Sequence, residues 1–210
     1  MPFVLFAVHQ VPAFYRPSSA LGRIVTMSQV ELFTIGHSNH PLERFLDLLD
    51  QHEIKALVDI RRFPSSRTFP HFNRDKLSHE LEAKGIDYAW IEAIGGRRPK
   101  AKNFVSPNMG LRNDSFRNYA DYMLTDEFRI GMKKLSEIAG AKRTAIMCSE
   151  SVLWRCHRRL VSDFVMTNGG SVQHLFPSGD SKAHTLTHEA KIKNGVLSYP
   201  EEMPLFDALG

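Results

Sequence analysis

The chain has 210 residues, is 42% hydrophobic and 24% charged, and carries a formal net charge of +4 with two cysteines. These values exclude disordered, fibrous and disulfide-framework classes and place the chain among ordinary globular proteins of reducing compartments, so a cytoplasmic location is expected. The mild basicity favours an anionic partner, a small molecule or nucleic acid, and no membrane partner is expected.

Residues 1–26 hold a short apolar run followed by prolines and serines. The run is too short to span a bilayer, and no basic residue precedes it. The segment is expected to be an extension outside the core, either a loosely attached arm or the product of an upstream start codon; a signal peptide is the alternative. From Met27 onward, apolar runs of strand length alternate with segments of helical period. Residues 30–35 predict a first strand, and Ser38 or Asn39 is expected to cap a helix that starts near Pro41. Residues 54–60 predict a second strand, and Asn73 is expected to cap a helix over 74–84 that Gly85 stops. Residues 86–91 predict a third strand. An aperiodic insertion covers 99–114, helices are expected over 116–124 and 126–138, and Gly140 reads as a stop. Residues 144–148 predict the fourth strand, 154–167 a helix, and 172–176 the fifth strand. A last short helix is expected over 184–193.

This alternation predicts one α/β domain, over residues 27–180. Its mostly parallel sheet of about five strands is flanked by helices in Rossmann-like layers, with a tail over 181–210.

In such a sheet, ligands bind outside the carboxyl ends of the strands. That edge collects His37 and Ser38 after strand one, Asp59 and Arg61 after strand two, and Cys148 and Glu150 after strand four. Arg62 and Arg67 join from the loop after strand two, and Cys156, His157 and Arg158 from the helix after strand four. Several guanidinium groups around one crevice suggest a phosphate, carboxylate or sulfate ligand, because arginine offers two parallel donors to such anions. The plainer reading is that Asp59 pairs with an arginine and ties two loops together.

Residues 34–38 (TIGHS), 58–61 (VDIR), 64–67 (PSSR), 95–96 (GG), 147–150 (MCSE) and 156–158 (CHR) occur in this order over roughly residues 31–176. They resemble the domain of unknown function 488 family. The resemblance implies a bacterial or archaeal cytosolic α/β domain whose activity is unassigned, so the chemistry rests on the residues themselves.

Cys148 has three readings. It is a nucleophile if nearby cations hold it as thiolate, a metal ligand if it joins Cys156, His157 and His37, and otherwise a small buried apolar group. No metal site is expected: the spacing of the two cysteines is not that of a paired zinc motif, adjacent Cys156 and His157 on a helix point about 100° apart, and His174, His184 and His188 read as surface groups. No cofactor is expected. The layout also has an analogy to rhodanese-type sulfurtransferases, weakened by Glu150 close behind the cysteine. A basic stretch over 97–102 with Phe104 beside it suits a phosphate backbone, as does a solvated loop. Two classes of function follow. One is an enzyme on an anionic, phosphate-bearing substrate with Cys148, Glu150, Asp59 and His37 as catalytic candidates and Ser38, Arg61, Arg67, Cys156, His157 and Arg158 binding the substrate. The other is a non-catalytic module using the same arginines.

Overall fold

The computed structural model describes residues 25–202. Most of the extension expected over 1–26 therefore lies outside the described residues; Met27, immediately after it, is fully buried. The chain runs β1 (Glu31–Gly36), α1 (Leu42–Gln51), β2 (Ala56–Asp59), α2 (Arg74–Ala83), β3 (Asp87–Trp90), α3 (Asp114–Tyr122), α4 (Asp126–Ala141), β4 (Thr144–Cys148), α5 (Arg158–Thr167) and β5 (Ser171–Leu175), then β6 (Ser181–Ala183), β7 (Lys191–Lys193) and β8 (Val196–Ser198). β1 to β5 are parallel, and β6 closes one edge antiparallel in the order β3-β2-β4-β1-β5-β6. Burial on both faces explains why β2 and β4 are unbroken apolar runs rather than alternating ones.

Two apolar layers sandwich the sheet. Phe45, Leu48 and Leu49 of α1 and Leu77 and Leu81 of α2 pack with Phe33, Leu57 and Met147 on one face. Tyr119, Phe128, Leu135, Leu160 and Val161 from α3, α4 and α5 pack with Leu32, Val58 and Ile146 on the other. The chain thus leaves β1 and β2 toward the first face but leaves β4, which lies between them, toward the second. Neighbouring strands whose exits diverge open a crevice at their carboxyl ends. That crevice lies at Cys148.

Several expected boundaries move. Pro41 occupies the N-cap position of α1 without a side-chain bond, and Ser38 instead takes a left-handed backbone with φ 46. Asn73 is at the N-cap of α2, but its side chain accepts from the Ser66 amide rather than from the helix. Gly85 ends that helix with φ 70, as expected. Gly140 does not stop α4, which continues through Ala141. The helix expected from residue 154 starts at Arg158, because a 3-10 turn over Leu153–Arg155 is followed by Cys156 in extended backbone, φ −118 and ψ 141.

The largest correction concerns the tail. No helix forms over 184–193; β6 extends the sheet, and β7 and β8 form a hairpin around Asn194 and Gly195, with φ 51 and 73. Positive φ at both turn residues is the requirement of the hairpin turn that Asn-Gly supplies. His174 and His184, expected at the surface, are buried, as are Thr187 and Tyr199. The Tyr199 amide donates to Asn108 at 2.9 Å and its carbonyl accepts from Gly110, so the tail also clamps the insertion loop. Among the described residues, no helix is long and apolar enough to cross a membrane.

Candidate functional site

A cavity of about 690 Å³ opens at the carboxyl end of β4. His37, Ser38, Arg61, Cys148 and Glu150 line it, together with Cys156 and His157. Three expected site residues do not. Asp59 is wholly buried beneath Arg61, Arg158 is buried behind Cys156, and Arg67 is exposed outside the lining.

The pleat divides these groups into two sets. Side chains alternate along a strand, so Asp59 shares the face of Leu57, with α1 and α2, whereas Cys148 shares the face of Ile146, with α3 to α5. Asp59 and Cys148 therefore stand at the same end of the sheet but on opposite faces.

The Asp59 set is tied together by hydrogen bonds within the protein. Arg61 donates Nε to both Asp59 oxygens at 2.9 and 3.0 Å and Nη2 to Oδ2 at 2.6 Å and to the Phe72 carbonyl at 2.7 Å. Its Nη1 donates to His37 Nε2 at 3.2 Å. Because His37 Nδ1 bonds the Ser38 carbonyl at 2.9 Å, the ring is the neutral tautomer with its proton on Nδ1. Burial, and then the Arg61 charge, lower its pKa to about 4. The plainer reading of the Asp59 pair thus describes the observed geometry: nearly every donor of Arg61 is engaged within the protein.

The Cys148 set is chemically open. Cys148 Sγ and Cys156 Sγ each lie 3.8 Å from Nδ1 of His157. His157 Nε2 donates to the Ile60 carbonyl at 3.1 Å, and its ring meets Tyr119 edge-on at 5.0 Å. The expectation that Cys156 and His157 diverge on a helix fails because neither is in the helix interior: Cys156 is extended and His157 is the N-cap residue of α5. Two glycines make room. A Cβ on Gly96 would sit 2.9 Å from His157 Nδ1, and one on Gly36 would sit 2.1 Å from the Glu150 carbonyl oxygen.

The two thiols differ. Cys148 is pushed up to about 12 by its hydrogen bond with Cys156 and by burial. For Cys156, burial acts upward, but that same hydrogen bond and the Arg158 guanidinium outweigh it and hold the thiol low, at about 6. The acidic thiol is thus Cys156, not Cys148. Arg158 donates Nε to Cys156 Sγ at 3.3 Å, and its Nη2 donates to the Glu150 carbonyl. A buried chain backs it: Arg158 to Thr34, then Thr34 to His174 at 2.8 Å, His174 to His184 at 2.9 Å, and His184 to Asp163 at 2.9 Å. The Asp163 carboxylate accepts from His184 Nε2, which orients every hydrogen along that chain. Glu150 lines the cavity, with Oε1 accepting from the Val152 amide at 3.0 Å.

Two of the cations that face the cavity were not among the expected site residues. Arg97 and Arg155 are exposed, line it, and make no ion pair or side-chain hydrogen bond among the described residues. Arg62 also lines it and pairs with Glu92 at 3.3 Å. Arg98, by contrast, is buried, donates to the Gly95 and Glu92 carbonyls and stacks over Tyr122. Phe63, 64% exposed, adds an aromatic face at the rim. Position directly before Cys156 was the available signal for Arg155.

Fold and site together define a parallel α/β protein with a thiol- and imidazole-floored crevice at the carboxyl end of its sheet. The chain belongs to the family described as Domain of unknown function DUF488, whose model matches residues 41–165. Comparison with curated proteins and with solved structures gives no match.

Proposed function

We propose that the protein is an enzyme acting on an anionic, phosphate-bearing substrate, a nucleotide or a nucleic-acid strand, held in this cavity. One observation carries the reading: the guanidinium groups of Arg97 and Arg155, unpaired among the described residues, rim a cavity whose floor is Cys148, Cys156 and His157. Two guanidinium forks suit phosphate oxygens. The exposed Phe63 ring, which lines the same cavity, suits a base, since stacking accepts any π face. A module that only held an anion would need the arginine rim and no buried thiol and imidazole beneath it. Asp59, Arg61 and His37 shape the wall in this reading, and Glu150 is the carboxylate nearest the reacting groups by chain position.

Titration calorimetry with inorganic phosphate, nucleoside monophosphates and a short single-stranded oligonucleotide tests the binding half. Arg97→Ala and Arg155→Ala should each weaken binding by about tenfold, the size of one charge-assisted hydrogen bond. Binding unchanged in both variants overturns the anion assignment. Product analysis of the bound compounds tests the catalytic half: turnover should vanish in Cys156→Ser. Binding without turnover in the wild type leaves a non-catalytic module.

A further inference from the structure

We propose that Cys148, Cys156 and His157 are the three protein ligands of a single thiophilic divalent cation, zinc by chemistry, whose fourth coordination position opens into the cavity. This deepens the proposed function by naming what occupies the floor, and it does not depend on which anion binds the rim.

The geometry of the donors is the first argument. The ligand atoms of the three residues all lie within 4.8 Å of one another, and each sulfur is 3.8 Å from the same nitrogen. A tetrahedral zinc with bonds of about 2.3 Å to sulfur and about 2.0–2.1 Å to nitrogen holds sulfur and nitrogen roughly 3.6 Å apart. A neutral imidazole accepts from only one of the two sulfurs. With Nε2 donating to the Ile60 carbonyl, Nδ1 has one lone pair, which can accept one S–H and not two. A cation between the three donors uses that lone pair and both sulfurs at once.

The surroundings are those of a ligand set. The Ile60 carbonyl fixes the ring so that Nδ1 faces the sulfurs, the usual outer partner of a metal-bound histidine. Arg158 donates to Cys156 Sγ at 3.3 Å, a contact that stabilises a thiolate. Two thiolates neutralise a divalent charge, so the buried centre is not left with an uncompensated double charge. Soft sulfur with one imidazole selects zinc over magnesium or calcium.

The open position follows from the cavity. Gly96 packs closely against the imidazole, where a Cβ would come within 2.9 Å of Nδ1. All three ligands line the cavity, so a water molecule or a substrate oxygen can complete the tetrahedron there. Three protein ligands with an accessible fourth position are the pattern of catalytic rather than structural zinc.

Cobalt(II) titration of the full chain, stripped with a chelator under reducing conditions and with no anion present, tests the proposal. The expected result is one equivalent bound, a near-ultraviolet thiolate-to-cobalt band, and the intense visible bands of tetrahedral cobalt. Zinc should displace that spectrum. Cys148→Ser and Cys156→Ser should each reduce the thiolate band by about half or abolish binding, and His157→Gln should weaken affinity by tenfold or more. Should the variants misfold, the wild-type readout decides alone: bound zinc should protect both cysteines from alkylation, and the chelator should release them together. Weak octahedral bands without a thiolate band, or a Cys148–Cys156 disulfide that forms equally well with zinc present, overturns the proposal. Arg97→Ala and Arg155→Ala should retain the cobalt spectrum, so loss of anion binding and loss of the metal are separate failures.

Discussion

Asp59 and Arg61, two residues apart at the end of β2, form a buried two-pronged ion pair that also reaches Tyr88, whose hydroxyl donates to Asp59 Oδ2 at 2.8 Å. Through Arg61 the pair holds the Phe72 carbonyl and the His37 ring, so the exits of β1 and β2 are joined. Removing one partner of a buried pair strands the other charge.

Asp59→Asn should therefore destabilise the fold by about 3 kcal/mol, read as a lower midpoint in urea denaturation with an unchanged slope. A loss below about 1 kcal/mol would show that Arg61 finds other acceptors and that the pair is dispensable.

The thiols should react in a fixed order. In chelator-treated protein, Cys156 should be alkylated ahead of Cys148 at neutral pH, because its thiolate forms near pH 6 whereas burial and the hydrogen bond keep Cys148 protonated. Arg158→Ala removes the cation at Cys156 and should move its rate profile to higher pH. Mass spectrometry of the labelled peptides against pH checks both; equal rates would rule out the asymmetry.

Acid should weaken the fold through His37. The unfolded imidazole takes a proton below pH 6.5, but the folded ring, buried beside Arg61, refuses it until about pH 4. Between these values the unfolded state binds more protons, so stability is full above pH 6.5 and falls as pH drops to about 4, by at most about 3 kcal/mol. His174, lowered to about 3, adds in the same direction. Chemical denaturation from pH 7 to 4 should show this decline, and His37→Gln should flatten it; the same slope in the variant would assign the decline elsewhere.

The two glycines of the crevice should differ in severity. Gly36→Ala places a methyl 2.1 Å from a backbone oxygen, which cannot yield without moving the Glu150 loop. Gly96→Ala meets an imidazole at 2.9 Å, and a ring can tilt. Thermal melts should show a large loss for Gly36→Ala and one of about 1–3 kcal/mol for Gly96→Ala, with His157 displaced from the thiols. Equal melts would mean that the loop is as compliant as the ring.

Much of the fold was legible because it depends on local pattern. β2 and β4 read as buried strands from their apolar runs, and Gly85 as a helix stop from its freedom to adopt positive φ. The tail was misread by period. Residues 184–193 carry a faint helical spacing, whereas the Asn194-Gly195 turn that organises the β7–β8 hairpin was the stronger local sign. His174 and His184 looked like surface groups because composition alone does not show that Asp163 and Thr34 stand ready to bond them.

The sequence by itself determined that Cys148, Glu150 and the Asp59–Arg61 pair follow strands, and so gather at the carboxyl edge, since a parallel sheet sends every strand end the same way. Only the tertiary structure decided how they are grouped. Strand register put Asp59 and Cys148 on opposite faces, and the late start of α5 turned Cys156 and His157 inward beside Cys148. Both depend on contacts between segments far apart in the chain, the Arg158 bond to Thr34 among them, and such contacts leave no periodicity in the residues that make them.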